Sequence, residues 1–354
     1  MTITRLGMRV ATRILNHKKI RRSKELIARR LSNGDQIPSV RVAVIGAGNF
    51  ALQHLQVLSA LRNVELVGIS NRGNSDLSAI AEHFNIKATF SDYRAMLDCV
   101  RPDAVVVVAS HFQTSSIATE CLDRGIPCLI EKPVAFTADE TERLAQLAAK
   151  RDCLNMVGVN RRYLSTLHEA VTRILQHGEL MGVSVEAPEA IGRFRFRNEH
   201  DERLYDRWLA ANSIHAIDLI RCIGGDVVSF HGRRDCRVEA NGDSFVATMR
   251  LSKGGLGTFL AHWLSVPGWS LTLYGNGVKA VLGLDNRGQI SYTDAGSSAI
   301  PIDIVDLHFK PGLFAQDEAF VNAVALKEKP GYPASDLADS VKTMRLIESI
   351  GAAQ

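Results

Sequence analysis

Aromatic side chains make up only 6% of this 354-residue chain. Cysteine is confined to six scattered positions (Cys99, Cys121, Cys128, Cys153, Cys222, Cys236), with no Cys-x-x-Cys pair. That dispersal argues against a disulfide framework and predicts buried thiols in a reducing compartment. The eleven histidines are equally dispersed, without the close Cys/His or carboxylate pairing that zinc requires, so no metal site is expected. No apolar run approaches the ~20 residues needed to cross a bilayer. The start lacks the apolar core of a secretory signal, so the expected location is cytoplasmic. What is present, 46% hydrophobic and 23% charged residues, is an ordinary globular composition, and the length is ample for two domains.

The net charge of +4 is unevenly spread. Residues 1–40 hold ten Lys/Arg against two Asp/Glu, leaving 32 against 36 for the remainder. The basic character therefore belongs to an extension, residues 1–38, and the body is mildly acidic. Within the extension Ile3, Leu6, Val10, Ile14 and Leu15 have helical spacing and alternate with Arg5, Arg9 and Arg13; Lys18 to Arg22 continue the basic run. Two readings are open: an amphipathic helix on an anionic membrane or a protein partner, or a solvated tail. Nucleic-acid binding is not expected, because the segment has no aromatic residue for base stacking.

Beyond the extension, residues 42–51 read Val-Ala-Val-Ile-Gly-Ala-Gly-Asn-Phe-Ala. The apolar run suits a strand buried on both faces of a parallel sheet. Gly46 permits the tight turn that follows, Gly48 lets the backbone approach a pyrophosphate, and Ala51 is small enough for close helix–strand packing. The helix beginning there offers free amides and the positive end of its dipole to phosphates. Strand 64–70, helix 76–84, strand 104–109, helix 113–124 and strand 127–131 follow in alternation, which predicts a doubly wound parallel sheet.

Several separate motifs then agree with one family. They are Gly46-x-Gly48-x-x-Ala51-x-x-His54, Asp103-Ala104-Val105, Glu131-Lys132-Pro133 and Ile214-His215-Ala216-Ile217-Asp218. Over residues 40–354 the chain resembles the Gfo/Idh/MocA family of NAD(P)-dependent oxidoreductases. The resemblance implies an α/β chain with a Rossmann doubly wound parallel sheet, expected over residues 39–160. It implies next a C-terminal α/β domain, expected over 161–354, whose open and mostly antiparallel sheet carries substrate and supports a homo-oligomer. It also implies hydride transfer between a nicotinamide and a secondary alcohol or ketone of a sugar, sugar nucleotide or cyclitol-like substrate.

On the cofactor side the expected contacts are Gly46, Gly48, Asn49 and Phe50 in the turn, Ser70, Asn71 and Arg72 after the second strand, Ala109 and Ser110 after the fourth, and Glu131 with Lys132. An acidic residue after the second strand would accept the adenosine ribose hydroxyls; here Asn71 stands in its place, followed by Arg72. Without that carboxylate a 2′-phosphate is not repelled, and arginine can pair with it in bidentate fashion, so NADP(H) is preferred over NAD(H). The competing reading has Arg72 stacked on adenine or solvated. Ser110 is positioned to cap the next helix. Thr114 occupies the position where the family commonly has histidine, and His111 lies either beside the cofactor or on the surface.

On the chemical side, hydride transfer needs a proton donor or acceptor at the reacting oxygen. The resemblance assigns this to Lys132, at the end of a strand, and to His215, whose imidazole titrates near neutrality. Segment 208–223 has helical apolar spacing and places His215 and Asp218 three residues apart. The family pattern Asp-x-Gly-x-His-x-x-Asp is only partly kept: Ala211 and Ser213 replace the first aspartate and the glycine. Either Lys132 and His215 act unaided, or Asn212 serves as a neutral substrate ligand, or the site is degenerate. Asn160, Arg162 and Tyr163 complete the expected substrate contacts, Arg162 meeting a substrate anion or bracing the domain junction. Asp218 is expected to orient a neighbour. Residues 193–197, Arg-Phe-Arg-Phe-Arg, read as a strand with one basic face suited to a phosphorylated or nucleotide-linked sugar. Two rival functions stay open: a reductase of a non-sugar carbonyl or imine, and a non-catalytic NAD(P)-binding sensor.

Overall fold

The computed structural model describes residues 37–73, 77–197, 201–283 and 285–354. The helix expected within residues 1–38 falls almost wholly outside them. The chain forms two compact units. The first gathers the described residues up to Glu131 with Gln146–Gly158 and Ile304–Ala334; the second comprises Lys132–Ala145, Val159–Asp303 and Ser335–Gln354.

The first unit is built on β1 (Val40–Ile45), α1 (Asn49–Leu58), β2 (Val64–Ser70), α2 (Leu77–Phe84), β3 (Thr89–Phe90), α3 (Tyr93–Val100), β4 (Ala104–Val107), α4 (His111–Asp123) and β5 (Cys128–Glu131). After α5 (Ala138–Lys150) comes β6 (Asn155–Gly158). The six strands are all parallel, in the order β3-β2-β1-β4-β5-β6. Strands β4 and β5 are buried along their whole length, as their unbroken apolar runs predict for a sheet covered on both faces. The order reverses between β1 and β4, so the loops leaving these strands diverge at a topological switch point.

The chain later returns to this unit through α9 (Ile304–His308) and α10 (Leu313–Leu326), and α10 packs on α1. A single domain over 161–354 is therefore corrected: residues 304–334 close the first unit, because α10 buries Phe314, Phe320 and Val321.

The second unit holds the first part of α5 and then α6 (Ser165–Gln176), preceded by a 3₁₀ turn, Asn160–Tyr163. It continues with β7 (Leu180–Glu186), α7 (Ile191–Phe196), a 3₁₀ turn (Glu202–Arg207), a π turn (Leu209–Ser213) and α8 (Ile214–Gly224). Then come β8 (Val227–Asp235), β9 (Ser244–Leu251), β10 (Leu256–His262), β11 (Ser270–Gly275), β12 (Val278–Gly283), β13 (Gly288–Tyr292) and β14 (Gly296–Ala299), and α11 (Leu337–Gly351) ends the chain. The sheet order is β14-β13-β12-β11-β7-β10-β9-β8, antiparallel except for the β7–β10 pair. On β9, Phe245, Ala247, Met249 and Leu251 point inward while Val246, Thr248 and Arg250 point out, the period-2 pattern of a sheet with one core face. Helices α6, α8 and α11 lie against that core face.

One local expectation is corrected here. Residues 193–197 are not a strand: they lie in and just after helix α7, with Phe194 N and Arg197 N donating to the carbonyls of Ala190 and Arg193. Five alternating residues are too few to fix a period. Only Phe194 packs inward, 5.8 Å from the Trp208 ring, and Phe196 is exposed. Arg195 is engaged by Glu202 and Glu239 and lies over Tyr205, so the expected basic sheet face does not form. Most of the thiols are buried as expected, at Cys121, Cys128, Cys153 and Cys222, while Cys99 and Cys236 are exposed.

Candidate active site

In the first unit the parallel sheet brings the carboxyl ends of β1, β2, β4 and β5 to one edge. Gly46 turns the chain there with φ +116°, and a Cβ at this position would overlap the Val108 carbonyl oxygen. Glycine is thus dictated twice, by backbone angle and by the β4 loop carrying Ala109. Gly46 N also donates to Ser70 O at 2.8 Å, tying the turn to the end of β2. Gly48 occupies the N-cap of α1 with no side-chain cap on the first-turn amides, and a Cβ there would meet nothing. Gly48 and Asn49 are exposed and Phe50 is half-buried. Open amides at a helix start form an anion site.

At the end of β2 the Ser70 hydroxyl is buried without a hydrogen-bond partner among the described residues, a polar atom that a ribose hydroxyl would satisfy. Asn71 and Arg72 follow, half-buried and exposed respectively. Ser110 stands at the N-cap of α4, but its hydroxyl does not cap; its carbonyl accepts from Gln113 N and Thr114 N. The capping expectation for Ser110 is corrected accordingly, and this second helix start also keeps its amides free of a side-chain cap. Thr114 is buried, its hydroxyl bonded to Ser110 O, and His111 is half-buried. These residues fit a dinucleotide: uncapped amides for the pyrophosphate, an unsatisfied hydroxyl for the ribose, and no carboxylate after β2 to oppose a phosphate.

Glu131 ends β5 and is held from behind. Its Oε1 lies 3.3 Å from His54 Nε2, and His54 Nδ1 lies 2.8 Å from Asp317 Oδ2. Burial alone would push the His54 imidazole down, but the charges and hydrogen bonds of Asp317 and Glu131 outweigh it and raise the group to about 10. His54 is therefore a buried imidazolium between two carboxylates. A Cβ at Gly158 would overlap the Glu131 carboxylate, so glycine on the neighbouring strand makes its room. Asp317 comes from α10, 263 residues beyond His54, and nothing in the sequence motif signalled it.

Lys132 opens the second unit; its peptide bond to Pro133 is cis. Its Nζ donates to the Ala211 carbonyl at 3.0 Å, one helical turn before His215. The π turn Leu209–Ser213 runs directly into α8, so residues 211, 212 and 215 share one continuous element. A π turn widens the local helix and is frequent at functional sites. His215 is buried, 8% exposed. Lys132 and His215, the two expected proton-handling residues, are thus brought to the same element.

Asn160, Arg162 and Tyr163 are buried in the 3₁₀ turn before α6. Arg162 donates through Nε and Nη2 to both oxygens of Asp218, each at 2.6 Å, and to Asp339 at the same distance. Burial would lower the guanidinium, but Asp218 outweighs it and the group is raised. Burial likewise pushes Asp339 up, while Arg162 and Arg221 hold it down at about 2. Arg162 therefore braces α8 and α11 rather than presenting its charge to a substrate anion. Asp218 takes a further bond from Thr343 and orients its neighbours as expected. Helix α8 is buried on every side, and Asp218 and Arg221 are tolerated there because they are paired.

Asn212 Nδ2 donates to Glu189 Oε1 at 2.6 Å, and Trp269 Nε1 donates to the same oxygen at 2.8 Å. The Arg161 guanidinium lies over the Trp269 ring, 5.1 Å from its centroid; burial lowers this group to about 10 against the opposing charge of Glu189. Sequence reading missed Glu189, Arg161 and Trp269. Arg161 stands between the expected Asn160 and Arg162 but was not singled out; Glu189 and Trp269 lie outside every motif, and only the fold brings Glu189 to residue 212.

Comparison with known proteins agrees with the fold. Residues 40–159 match the oxidoreductase family described by its NAD-binding Rossmann fold, GFO_IDH_MocA. An uncharacterized oxidoreductase, YrbE of Bacillus subtilis, is 25% identical over 72% of this chain and 72% of its own length. UDP-N-acetylglucosamine 3-dehydrogenase of Acidithiobacillus ferrooxidans is 25% identical over 81% of this chain and 89% of that protein. The structure of levoglucosan dehydrogenase with NADH shares the fold, with a TM-score of 0.74 at 16% identity, covering 88% of this chain and 96% of that one.

Proposed function

We propose, from the match of residues 40–159 to the Gfo/Idh/MocA oxidoreductase family, that this chain is an NAD(P)-dependent dehydrogenase acting on a secondary hydroxyl of a sugar, sugar nucleotide or cyclitol. The observation that carries the reading is the Lys132 Nζ bond to Ala211 O, one turn from His215. This bond ties the Lys132 amine to the element that carries the His215 imidazole, which supports a role for both in proton exchange with a substrate oxygen. The sugar-acting relative supports the substrate class.

The nicotinamide, when bound, takes or returns the hydride at the reacting carbon. The chain's own residues handle the oxygen. Lys132 Nζ hydrogen-bonds that oxygen and holds or releases its proton, and His215 accepts or supplies the proton in turn. Asn212 fixes an adjacent hydroxyl. Gly48, Asn49 and Phe50 offer backbone amides to the pyrophosphate, while Arg72, with no carboxylate beside it, favours NADP(H). The pairing of Arg162 with Asp218 and Asp339 supports a bracing role for it.

The test is titration of the purified protein with NADPH and NADH. Turnover is then followed at the nicotinamide absorbance with UDP-N-acetylglucosamine, glucose 6-phosphate, methyl glucoside and myo-inositol. Activity on a member of this panel that Lys132→Ala abolishes, with cofactor binding retained, supports the reading. Ala211 favours a second reading, a cofactor-binding sensor, because the first carboxylate of the family pattern is missing there. Tight cofactor binding without turnover on the panel selects that reading.

A further inference from the structure

Glu189 presents an uneven carboxylate. Its Oε1 is saturated by two donors, Asn212 Nδ2 at 2.6 Å and Trp269 Nε1 at 2.8 Å, whereas Oε2 accepts no hydrogen bond among the described residues. An ionised carboxylate has about four acceptor sites, so half its capacity stands open. The residue is only 5% exposed, and burial pushes its carboxyl above the ordinary range, opposed by Trp269, Asn212 and Arg161. Oε2 is not one of the buried partnerless atoms, so it is open to solvent, and a ligand hydroxyl can take the place of water there.

Its placement is rigid. Glu189 N donates to His262 O and Glu189 O accepts from Ser265 N, both at 2.9 Å, and Ala190 bridges Leu264. The backbone is thus secured by strand-like pairing, and the fold does not depend on the side chain for it. Glu189 and Lys132 are bonded to consecutive residues, 212 and 211. The chain lacks a carboxylate at 211 but brings one to 212 from a separate segment.

Resting on the dehydrogenase reading, we propose that Glu189 is the carboxylate of the substrate site. Its Oε2 accepts a hydroxyl hydrogen of a polyhydroxylated substrate, while Asn212 and Trp269 hold Oε1 in place. Trp269, stacked with Arg161, walls that subsite, so the ligand is a neutral polyol or sugar ring at this end.

The experiment compares wild type with Glu189→Gln on the same four-compound panel. Glutamine keeps an acceptor for Asn212 and Trp269 but loses the charge at Oε2. The expected result is a KM raised about 10- to 100-fold, with kcat within about threefold of wild type. NAD(P)H affinity and thermal midpoint are expected to stay unchanged. An unchanged KM, a fall in kcat alone, or a loss that tracks with lost cofactor binding overturns the proposal. A wild type silent on the panel overturns the dehydrogenase reading and this one with it; an active wild type with an indifferent Glu189→Gln overturns only this one. If glutamine unfolds the chain, Glu189→Asp keeps the charge on a shorter arm and is judged by the same KM criterion.

Discussion

Replacing His54 by glutamine removes the cation between two buried carboxylates. His54 is fully buried, 2.8 Å from Asp317 and 3.3 Å from Glu131, and is raised from 6.5 to about 10. At about 1.4 kcal/mol for each pH unit, that interval corresponds to ~5 kcal/mol of linkage. Removing one partner of a buried ion pair independently costs about 3–5 kcal/mol, so the first unit should lose about 4 kcal/mol. Because the folded value lies above the unfolded one, the contribution is fully present below pH 6.5 and is lost as pH rises through about 10. Wild type should therefore weaken across that window, and the variant should lack this dependence. All three tryptophans, Trp208, Trp263 and Trp269, lie in the second unit, so their fluorescence does not follow the first. Urea-dependent alkylation of Cys128, fully buried in β5, read by mass spectrometry, does. The expected midpoint shift is about 1–3 M urea. A loss under about 1 kcal/mol, or a wild-type midpoint flat between about pH 7 and 9.5, would refute the reasoning.

Three further outcomes follow from the same geometry. Gly46→Ala places a Cβ against the Val108 carbonyl at a backbone angle that only glycine adopts freely; NAD(P)H binding measured by fluorescence titration should be lost. Arg162→Ala strands Asp218, whose side chain is 3% exposed, and should destabilise the second unit by about 3–5 kcal/mol in a tryptophan-monitored urea transition. Arg162→Lys should recover only part of this, because the bidentate fork is lost. Arg72→Ala should weaken NADPH about tenfold or more and leave NADH unchanged; equal weakening of both in titration calorimetry would rule out a 2′-phosphate contact.

The alternation of strands and helices in the first unit was legible because its signals are local. Apolar runs such as Val42–Ile45 and Ala104–Val107 encode fully buried parallel strands, and a glycine at a left-handed angle marks its own turn. In the second unit the alternation on β9 is long enough to carry a period, whereas the short one at residues 193–197 was misread as a strand. Helix α8 was recognised as a helix, but its burial on every side was not. Asp218 and Arg221 look like exposed polar residues until Arg162, Asp339 and Thr343 are placed around them.

The sequence by itself determined the phosphate turn, the parallel sheet, Lys132 at the strand end and His215 on its helix, because each rests on backbone sterics or near-neighbour periodicity. Only the tertiary structure decided the partners. Asp317 reaches His54 across 263 residues, Asp339 reaches Arg162 across 177, and Glu189 meets both Asn212 and Trp269. Such pairings depend on where the topology returns the chain, and a buried charge is satisfied by whichever donor packing delivers to it rather than by its neighbours in sequence.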